Sequence, residues 1–322
     1  MKRTFNTSKF ALVSISVALF SGATFAAIPA ELKLDYAYYA PTSLVVKEQK
    51  LLEKALPKTK IKWVFSQGSN RSLEYLNSGS TDFASTAGLA AVLSRANGSP
   101  IKTVYIQSQP EWTALLVHKD STIKSLKDLK GKKIAATKGT DPFLFTLQAL
   151  DTVGLGKRDV ELVHLQHPDG KTALERKQVD AWAGLDPLMA SAQVQSGAKL
   201  LYRNVSFNSY SVLSVKDQFA KQSPEAIEAV IKAYEQARHW AKENPGKLAE
   251  LLARESKLPL AVAKLQISRT NLDQNTPSAK HIAALQKAGK ILTEEDLVRK
   301  GTNVNQVVTQ LFDAKYAAKV VQ

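Results

Sequence analysis

The fold is decided by a recurring pattern that is clearest in one stretch, Lys133-Ile-Ala-Ala-Thr-Lys-Gly-Thr-Asp-Pro-Phe-Leu-Phe-Thr-Leu-Gln-Ala-Leu-Asp-Thr152. The apolar run at residues 133–137 predicts a short β-strand. The polar residues 138–141 predict a turn, and residues 142–152 predict a helix with proline at its first position. A strand, a turn and a helix in this order form the repeating unit of α/β proteins.

The same unit recurs on both sides of this stretch. Upstream, we predict alternating strands and helices at residues 32–37, 42–56, 60–65, 81–85 and 88–96. Downstream, the alternation continues at residues 160–165, 173–177, 181–184, 188–196 and 199–202. After Pro224 the sequence is mostly typical of helices. This pattern predicts an α/β fold with two mixed sheets that helices flank on both faces.

Two successive α/β series followed by a return of helices predict two lobes. We expect the chain to cross between them near residues 112–118 and to cross back near residues 210–215. The first lobe would comprise residues 27–115 together with 214–322, and the second residues 116–213. Two crossing strands make a hinge, and ligand sites favour the cleft between such lobes.

The N-terminus predicts export. Positive charges at Lys2, Arg3 and Lys9 precede an uncharged apolar run at residues 10–20, and small residues lead to Ala26. This is the layout of a secretory signal peptide over residues 1–26, cleaved near Ala26, and its apolar run is short for a membrane span. The alternative is an uncleaved membrane anchor. The signal-peptide interpretation predicts a mature chain that works outside the cytoplasm.

Composition excludes several kinds of chemistry. The chain has no cysteine, so thiol nucleophiles, disulfides and thiolate metal sites are ruled out. The formal net charge is +15, but the cations are dispersed and lack interleaved aromatic residues, so we expect no nucleic-acid partner. His164 and His167 have a spacing that suits a metal, but they stand near a predicted loop and favour a surface position. We expect no metal and no cofactor, because no motif for either is present.

Polar residues at three predicted helix starts are candidates for binding an anion. They are Gly68-Ser69-Asn70, Ser85-Thr86-Ala87-Gly88 and Lys138-Gly139-Thr140-Asp141, and each follows a predicted strand. Helix starts offer unpaired N–H groups and partial positive charge at the strand ends, where α/β proteins bind ligands. The alternative is that these residues only cap their helices.

Two Asp-Pro pairs and one tyrosine have two interpretations each. Asp141-Pro142 and Asp186-Pro187 suit a helix start in which the aspartate is the N-cap; the alternative is ligand contact. If Asp141 faces the cleft, its carboxylate disfavours a simple anion and favours a ligand that also bears an amino group. Tyr38 stands at the end of a predicted strand. Its side chain is predicted to line the pocket, and the alternative is a position in the hydrophobic core.

The chain resembles a known family, the periplasmic substrate-binding proteins of ABC importers for aliphatic sulfonates, taurine and nitrate. The resemblance rests on Leu51-Leu-Glu-Lys54, Ile61-Lys-Trp-Val-Phe65, Leu73-Glu-Tyr-Leu-Asn-Ser-Gly-Ser-Thr-Asp82, Ser85-Thr86, Leu126-Lys-Asp-Leu-Lys-Gly-Lys-Lys-Ile-Ala135, Lys138-Gly139 and Val179-Asp-Ala-Trp-Ala-Gly-Leu-Asp-Pro187. It implies a bilobal type II periplasmic-binding fold with a two-strand hinge, which closes on its ligand without catalysis. It also implies a monomer in the periplasm that delivers the ligand to ABC permease subunits in the inner membrane. The binding residues that it implies are Ser85, Thr86, Gly139, Thr140, Trp182 and Asp186.

Several candidate ligand-facing positions depart from the sulfonate branch of that family. Where that branch has Ser-Thr-Gly-Asp, this chain has Ser85-Thr86-Ala87-Gly88. Where the branch has Gly-Ser-Ser, this chain has Gly139-Thr140-Asp141. The expected function is capture of aliphatic sulfonates or taurine-like aminosulfonates. The alternatives are an exported enzyme on the same scaffold, a binding protein for another small oxyanion or amine-bearing ligand, and a sensor.

Overall fold

The first lobe is built on a mixed sheet. The computed structural model describes residues 28–273 and 276–321, so the predicted signal peptide lies outside the described residues. The strands of this sheet, in chain order, are β1 (Glu31–Tyr36), β2 (Lys60–Phe65), β3 (Phe83–Ala87), β4 (Ile101–Pro110), β10 (Ser211–Lys216) and β11 (Thr270–Asn271). Their spatial order is β11-β4-β10-β3-β1-β2. β1 pairs in parallel with β2 and β3, whereas β10 is antiparallel to both of its neighbours.

The second lobe has a smaller mixed sheet of similar design. Its strands are β5 (Thr113–Val117), β6 (Lys133–Ala135), β7 (Glu161–Val163), β8 (Ala181–Leu185) and β9 (Lys199–Tyr202), in the spatial order β7-β6-β8-β5-β9. β6 pairs in parallel with β7 and β8, and β5 is antiparallel to β8 and β9. The predicted α/β class with two mixed sheets is therefore confirmed.

Helices cover both sheets. Those between the strands are α1 (Pro41–Glu48), α2 (Leu51–Ala55), α3 (Ser69–Ser78), α4 (Gly88–Ala96), α5 (Asp141–Asp151), α6 (His167–Glu175) and α7 (Leu188–Ser196). Those after β10 are α8 (Asp217–Gln222), α9 (Pro224–Glu243), α10 (Pro245–Ser256), α11 (Leu260–Ser268), α12 (Ala279–Ala288), α13 (Lys290–Glu294), α14 (Val304–Leu311) and α15 (Ala317–Val320). Within the described ranges, none of these helices has the length and apolarity that crossing a membrane requires.

The first predicted helix, at residues 42–56, is broken in the structure. Lys50 has a left-handed backbone with φ 52°, which ends α1 and leads into α2. Both pieces keep their apolar side toward the core, because Leu44, Val45 and Leu52 are all buried. The periodicity therefore identified the buried face correctly and missed the break.

The two crossings between the lobes come slightly earlier than predicted. β5 begins at Thr113 and belongs to the second sheet, whereas the predicted boundary fell after residue 115. β10 begins at Ser211 and belongs to the first sheet, whereas the predicted boundary fell after residue 213. The short segments before Thr113 and Ser211 therefore carry the chain between the lobes.

The C-terminal helices touch both lobes. α12 and α14 pack on α4 of the first lobe, and α13 packs on α5 of the second. An ion pair reinforces the second contact, with Lys157 Nζ 3.7 Å from Glu295 Oε2. The C-terminal helices therefore contact both lobes and connect them.

Trp182 anchors the core of the second lobe. It lies in β8, is 1% exposed, and packs in a cluster with Leu174 and Met189. Its indole lies so close to α6 that a Cβ built on Gly170 would be 2.6 Å from Nε1. The indole is therefore enclosed by its own lobe, and ligand contact by Trp182 stays a prediction.

We predict that Gly170→Ala lowers the free energy of unfolding by about 1–3 kcal/mol, because the added methyl overpacks against the indole. The matched control is Gly246→Ala, also in a helix but with no atom within 4 Å of the new Cβ. Alanine favours the helix there, so this control should be neutral or stabilising. Chemical denaturation of both variants measures the difference. A Gly170→Ala protein as stable as the control would contradict the packing described.

Candidate ligand-binding site between the lobes

A cavity of about 190 Å³ lies between the two lobes. Its walls are mainly apolar, and they come from both lobes: Tyr38, Tyr39, Phe65, Leu185, Leu188 and Leu258. Its polar lining includes Ser66, Gln67, His167 and Asp186, and no Lys or Arg among the described residues. The walls suit an organic group, and the few polar atoms would orient it.

A larger open depression of about 420 Å³ is a weaker candidate. Its lining, which includes His118, Asp128 and Lys177, comes from the second lobe alone. It therefore cannot couple ligand binding to the position of the lobes, and we place the candidate site in the interlobe cavity.

Three helices begin at this cavity. α3 begins just after Ser66 and Gln67, α6 begins at His167, and α7 begins at Leu188. The first N–H groups of a helix have no partner within the helix, and they carry partial positive charge. At α7 the Asp186 carboxylate already compensates this partial positive charge, because its Oδ1 accepts from the Ala190 N–H at 2.8 Å. The starts of α3 and α6 therefore remain to attract an anionic group.

The lobes touch at the start of α3. A Cβ built on Gly68 would lie 2.8 Å from His167 Nε2 of the opposite lobe. Next to it, Asn70 Nδ2 donates to Gln166 Oε1 at 3.5 Å, and the Asn70 Cβ lies 3.7 Å from the position of a Cβ on Gly139. Gly139 has φ 77°, a conformation that favours glycine in this turn. The structure therefore shows the lobes closed over the cavity.

His167 is buried and neutral. It is 1% exposed, which corrects the expected surface position, and burial lowers its pKa to about 3. Its Nδ1 lies 3.1 Å from Thr137 Oγ1. Its Nε2 is buried without a hydrogen bond to any described residue. Local sequence patterns do not predict this burial, because Gly68 of the other lobe packs against the imidazole.

Asp141 lies in the hinge and does not line the cavity. Its carboxylate accepts from Trp112 Nε1 at 3.0 Å, from the Ser209 N–H at 2.8 Å, and from the Ser209 hydroxyl. Trp112 and Ser209 belong to the two segments that cross between the lobes. The expected N-cap role is also corrected, because α5 is preceded by Thr140 as N-cap and begins at Asp141. Burial raises the pKa of Asp141 to about 6, although its hydrogen bonds act in the opposite direction.

Asp35 is a second buried carboxylate, which the sequence analysis did not single out. It accepts from the hydroxyls of Ser66 and Ser72 at 2.9 and 2.5 Å, and from the Ser85 N–H at 2.7 Å. These bonds fix the turn before α3 and the end of β3. Burial raises the pKa of Asp35 to about 6.

Asp186 joins the lobes at the edge of the cavity. Its Oδ2 lies 3.5 Å from Arg269 Nη1, and Arg269 also donates to Gln193 Oε1 at 2.6 Å. Arg269 belongs to the first lobe, and Asp186 and Gln193 to the second. Burial raises the pKa of Asp186 to about 7, whereas the Arg269 guanidinium lowers it. Arg269 was missed because only the fold brings it to this position.

The structure separates the eight predicted site residues into groups. Tyr38 and Asp186 line the cavity, and Gly139 lies at the contact between the lobes. Ser85, Thr86 and Thr140 are buried and do not line the cavity. Asp141 and Trp182 serve the hinge and the core, as described above. Ligand contact by each of the eight residues stays a prediction.

The three buried hydroxyls are constrained to different degrees. Ser85 Oγ accepts from Gln107 Nε2 at 3.0 Å, and Thr140 Oγ1 donates to the Thr137 carbonyl at 2.6 Å. Thr86 Oγ1 is buried and has no hydrogen-bond partner among the described residues. In the described ranges, no group of three or more His, Cys, Asp or Glu side chains is placed to hold a metal ion.

Comparison with known proteins decides the family. The model of the NMT1/THI5-like family matches residues 60–248, more than half of the chain. The chain belongs to the NMT1/THI5-like family. An Escherichia coli K12 member named for binding aliphatic sulfonates is 29% identical over 309 residues, which cover 95% of this chain and 97% of that protein. The family resemblance noted in the sequence is thus confirmed.

Solved structures of similar proteins support the fold of this family member. The alkanesulfonate-binding protein SsuA from Xanthomonas axonopodis pv. citri, solved bound to MOPS, has a TM-score of 0.82 and 26% identity. The match covers 89% of this chain and 99% of that one. The desulfurization enzyme DSZB shares the fold at a TM-score of 0.66 and 16% identity, with 91% of this chain and 99% of that one covered. The fold therefore occurs in both a binding protein and an enzyme.

The raised pKa of Asp141 predicts a pH dependence of stability. Its folded pKa of about 6 exceeds the ordinary value of 3.8, so its contribution is largest below pH 3.8 and is lost as the pH rises through 6. Between pH 7 and pH 5, wild type should gain about 1 kcal/mol of unfolding free energy relative to Asp141→Asn. Urea denaturation of both proteins at the two pH values measures this. A difference that stays constant with pH would contradict it.

Proposed function

We propose that this protein is the extracytoplasmic solute-binding component of an ABC importer for aliphatic sulfonates. In this proposal the chain is exported, loses residues 1–26, and works as a monomer in the periplasm. It captures a sulfonate between its lobes and delivers it to ABC permease subunits in the inner membrane. The observation that carries the proposal is the closed interlobe cavity, which combines apolar walls with free helix starts.

The two parts of the cavity match the two parts of an alkanesulfonate. The walls formed by Tyr38, Phe65 and Leu188 suit a short alkyl chain. The starts of α3 and α6 attract the sulfonate through backbone N–H groups, without a lysine or arginine in the described lining. A bare inorganic oxyanion such as nitrate would leave the apolar walls without a partner. The E. coli and Xanthomonas relatives, both named for sulfonate binding, support the same choice.

Closure is the mechanism that we propose for capture. A ligand that contacts both lobes binds the closed form better than the open form, so it shifts the population toward closure. Gly68 permits this closure, because it lets α3 approach His167 of the second lobe closely. The Asp186–Arg269 ion pair and the Asn70–Gln166 hydrogen bond also form between the lobes. The permease would recognise the closed shape.

Non-enzymatic function is part of this proposal. Ser85, a hydroxyl among the predicted site residues, is buried and accepts a hydrogen bond from Gln107. The Nδ1 of His167 is hydrogen-bonded to Thr137. In the described part of the chain these two side chains share no hydrogen bond, so they do not form a nucleophile and base pair.

A thermal-shift screen of the mature protein tests the proposal. The ligands are ethanesulfonate, taurine, MOPS, sulfate and nitrate. A ligand at one hundred times its Kd adds about 2.7 kcal/mol of stability. We expect at least one sulfonate to raise Tm by about 5 °C or more, and sulfate and nitrate to have little effect. A rise in Tm with nitrate alone would refute the assignment, and so would the absence of any rise with the sulfonates.

Gly68→Ala tests closure. The backbone at Gly68 is extended, with φ 179°, so alanine fits the chain itself, but its methyl would meet His167. We expect the affinity for the best sulfonate of the screen to fall about ten-fold or more, because the lobes can no longer close. Gly246→Ala is the control, since nothing lies within 4 Å of its new Cβ. Calorimetric titration measures both, and unchanged affinity in Gly68→Ala would contradict the closure mechanism.

A further inference from the structure

The imidazole of His167 places a buried ring nitrogen at the wall of the cavity. His167 is the first residue of α6, is buried, and lines the cavity. Its Nε2 is a buried polar atom with no hydrogen-bond partner among the described residues. Leaving such an atom unpaired is costly, so its chemical character limits what can bind beside it.

The hydrogen bonds of Thr137 decide the tautomer of His167. The Thr137 hydroxyl donates its single hydrogen to the Leu165 carbonyl at 2.7 Å, and a carbonyl can only accept. The bond between Thr137 Oγ1 and His167 Nδ1, at 3.1 Å, must therefore use the hydrogen on Nδ1. In the neutral ring the hydrogen is then on Nδ1, and Nε2 carries a lone pair. Nε2 is a hydrogen-bond acceptor.

The groups around Nε2 do not change its role as a hydrogen-bond acceptor. Gly68 of the opposite lobe lies next to it, and so does Asn70, whose Oδ1 is also buried without a partner among the described residues. Asp186, another lining residue, already faces a cation, because its Oδ2 lies 3.5 Å from Arg269 Nη1. Burial alone lowers the pKa of His167, with no carboxylate acting to raise it. The unpaired atoms named here are thus all acceptors.

A sulfonate group cannot satisfy these acceptors. Its oxygens carry lone pairs and no hydrogen, so they would meet the lone pair of Nε2 unfavourably. An ammonium or hydroxyl group on the same ligand can donate to Nε2. A ligand with both groups would place its sulfonate toward the helix starts and its donor toward the imidazole.

We propose that His167 makes this protein selective for sulfonates that carry a second, hydrogen-bond-donating group, an ammonium or a hydroxyl. The inference rests on the proposed function, and it names the class of sulfonate that the site takes. It also replaces the earlier reason for expecting an amine, since the carboxylate of Asp141 does not line the cavity.

Calorimetric titration of the mature protein at pH 7.5 tests this. The ligands form a matched series: taurine, with an ammonium; isethionate, with a hydroxyl; and ethanesulfonate, with neither. We expect wild type to bind taurine or isethionate at least about ten-fold more tightly than ethanesulfonate. In His167→Leu the preference should fall below about three-fold while ethanesulfonate binding is kept. His239→Leu is the control, because its side chain is largely exposed on α9 and should keep the wild-type preference.

Two further measurements keep the test decisive. His167→Gln retains an acceptor oxygen and should keep part of the preference, even if His167→Leu proves unstable. Titration of ethanesulfonate in buffers of different ionisation enthalpy shows whether binding takes up a proton. Proton uptake that is present in wild type and lost in His167→Leu, with wild-type affinity that rises as the pH falls to 5.5, would mean that the anion protonates His167 and not Asp186, and it would overturn the inference.

The outcomes separate the inference from the proposed function. Equal affinity of wild type for all three ligands would overturn the donor selectivity and leave sulfonate capture standing. A preference that persists unchanged in a folded His167→Leu would also overturn the role of His167. Failure of every sulfonate to bind would instead refute the proposed function, and the inference with it.

Discussion

The carboxylate of Asp141 is the interaction on which the two-lobed arrangement depends. It accepts hydrogen bonds from Trp112 and Ser209, one residue in each segment that crosses between the lobes. The Ser209 hydroxyl also accepts from the Leu89 N–H at the start of α4. One buried carboxylate therefore ties both crossings and helices of both lobes together. Since Asp141 begins α5, it also fixes the turn that carries Gly139 to the contact with Asn70.

Other bonds in the hinge support the same arrangement. Arg203 and Glu111, which flank the two crossings, form a bidentate ion pair with distances of 2.8 and 2.6 Å. Asn208 accepts from the Thr113 N–H at 2.8 Å and so joins the second crossing to the start of β5. The crossings are thus bound to each other as well as to Asp141. In the proposed closure mechanism, the lobes would rotate about this bonded region.

The electrostatics of the cavity follow from buried groups and differ from those of the surface. The chain has a formal net charge of +15, yet the described lining of the cavity contains no lysine or arginine. Its fixed polarity comes from helix starts and from the Asp186 carboxylate, with Arg269 beside it. An anion held by backbone N–H groups leaves acceptors such as His167 Nε2 free for another part of the ligand. Net charge alone would have suggested a simple anion-binding site.

The sequence by itself determined the order of strands and helices, the two mixed sheets, and one of the three helix starts at the cavity, that of α3. Those features depend on local periodicity and turn residues, which short stretches contain in full. Tyr38 and Asp186, both predicted as site residues, line the cavity. Only the tertiary structure decided that Asp141 binds the hinge, that Trp182 is core, and that His167 is buried against Gly68. Each of these depends on a partner far away in the chain, and the identity of such a partner is set by the packing of whole elements.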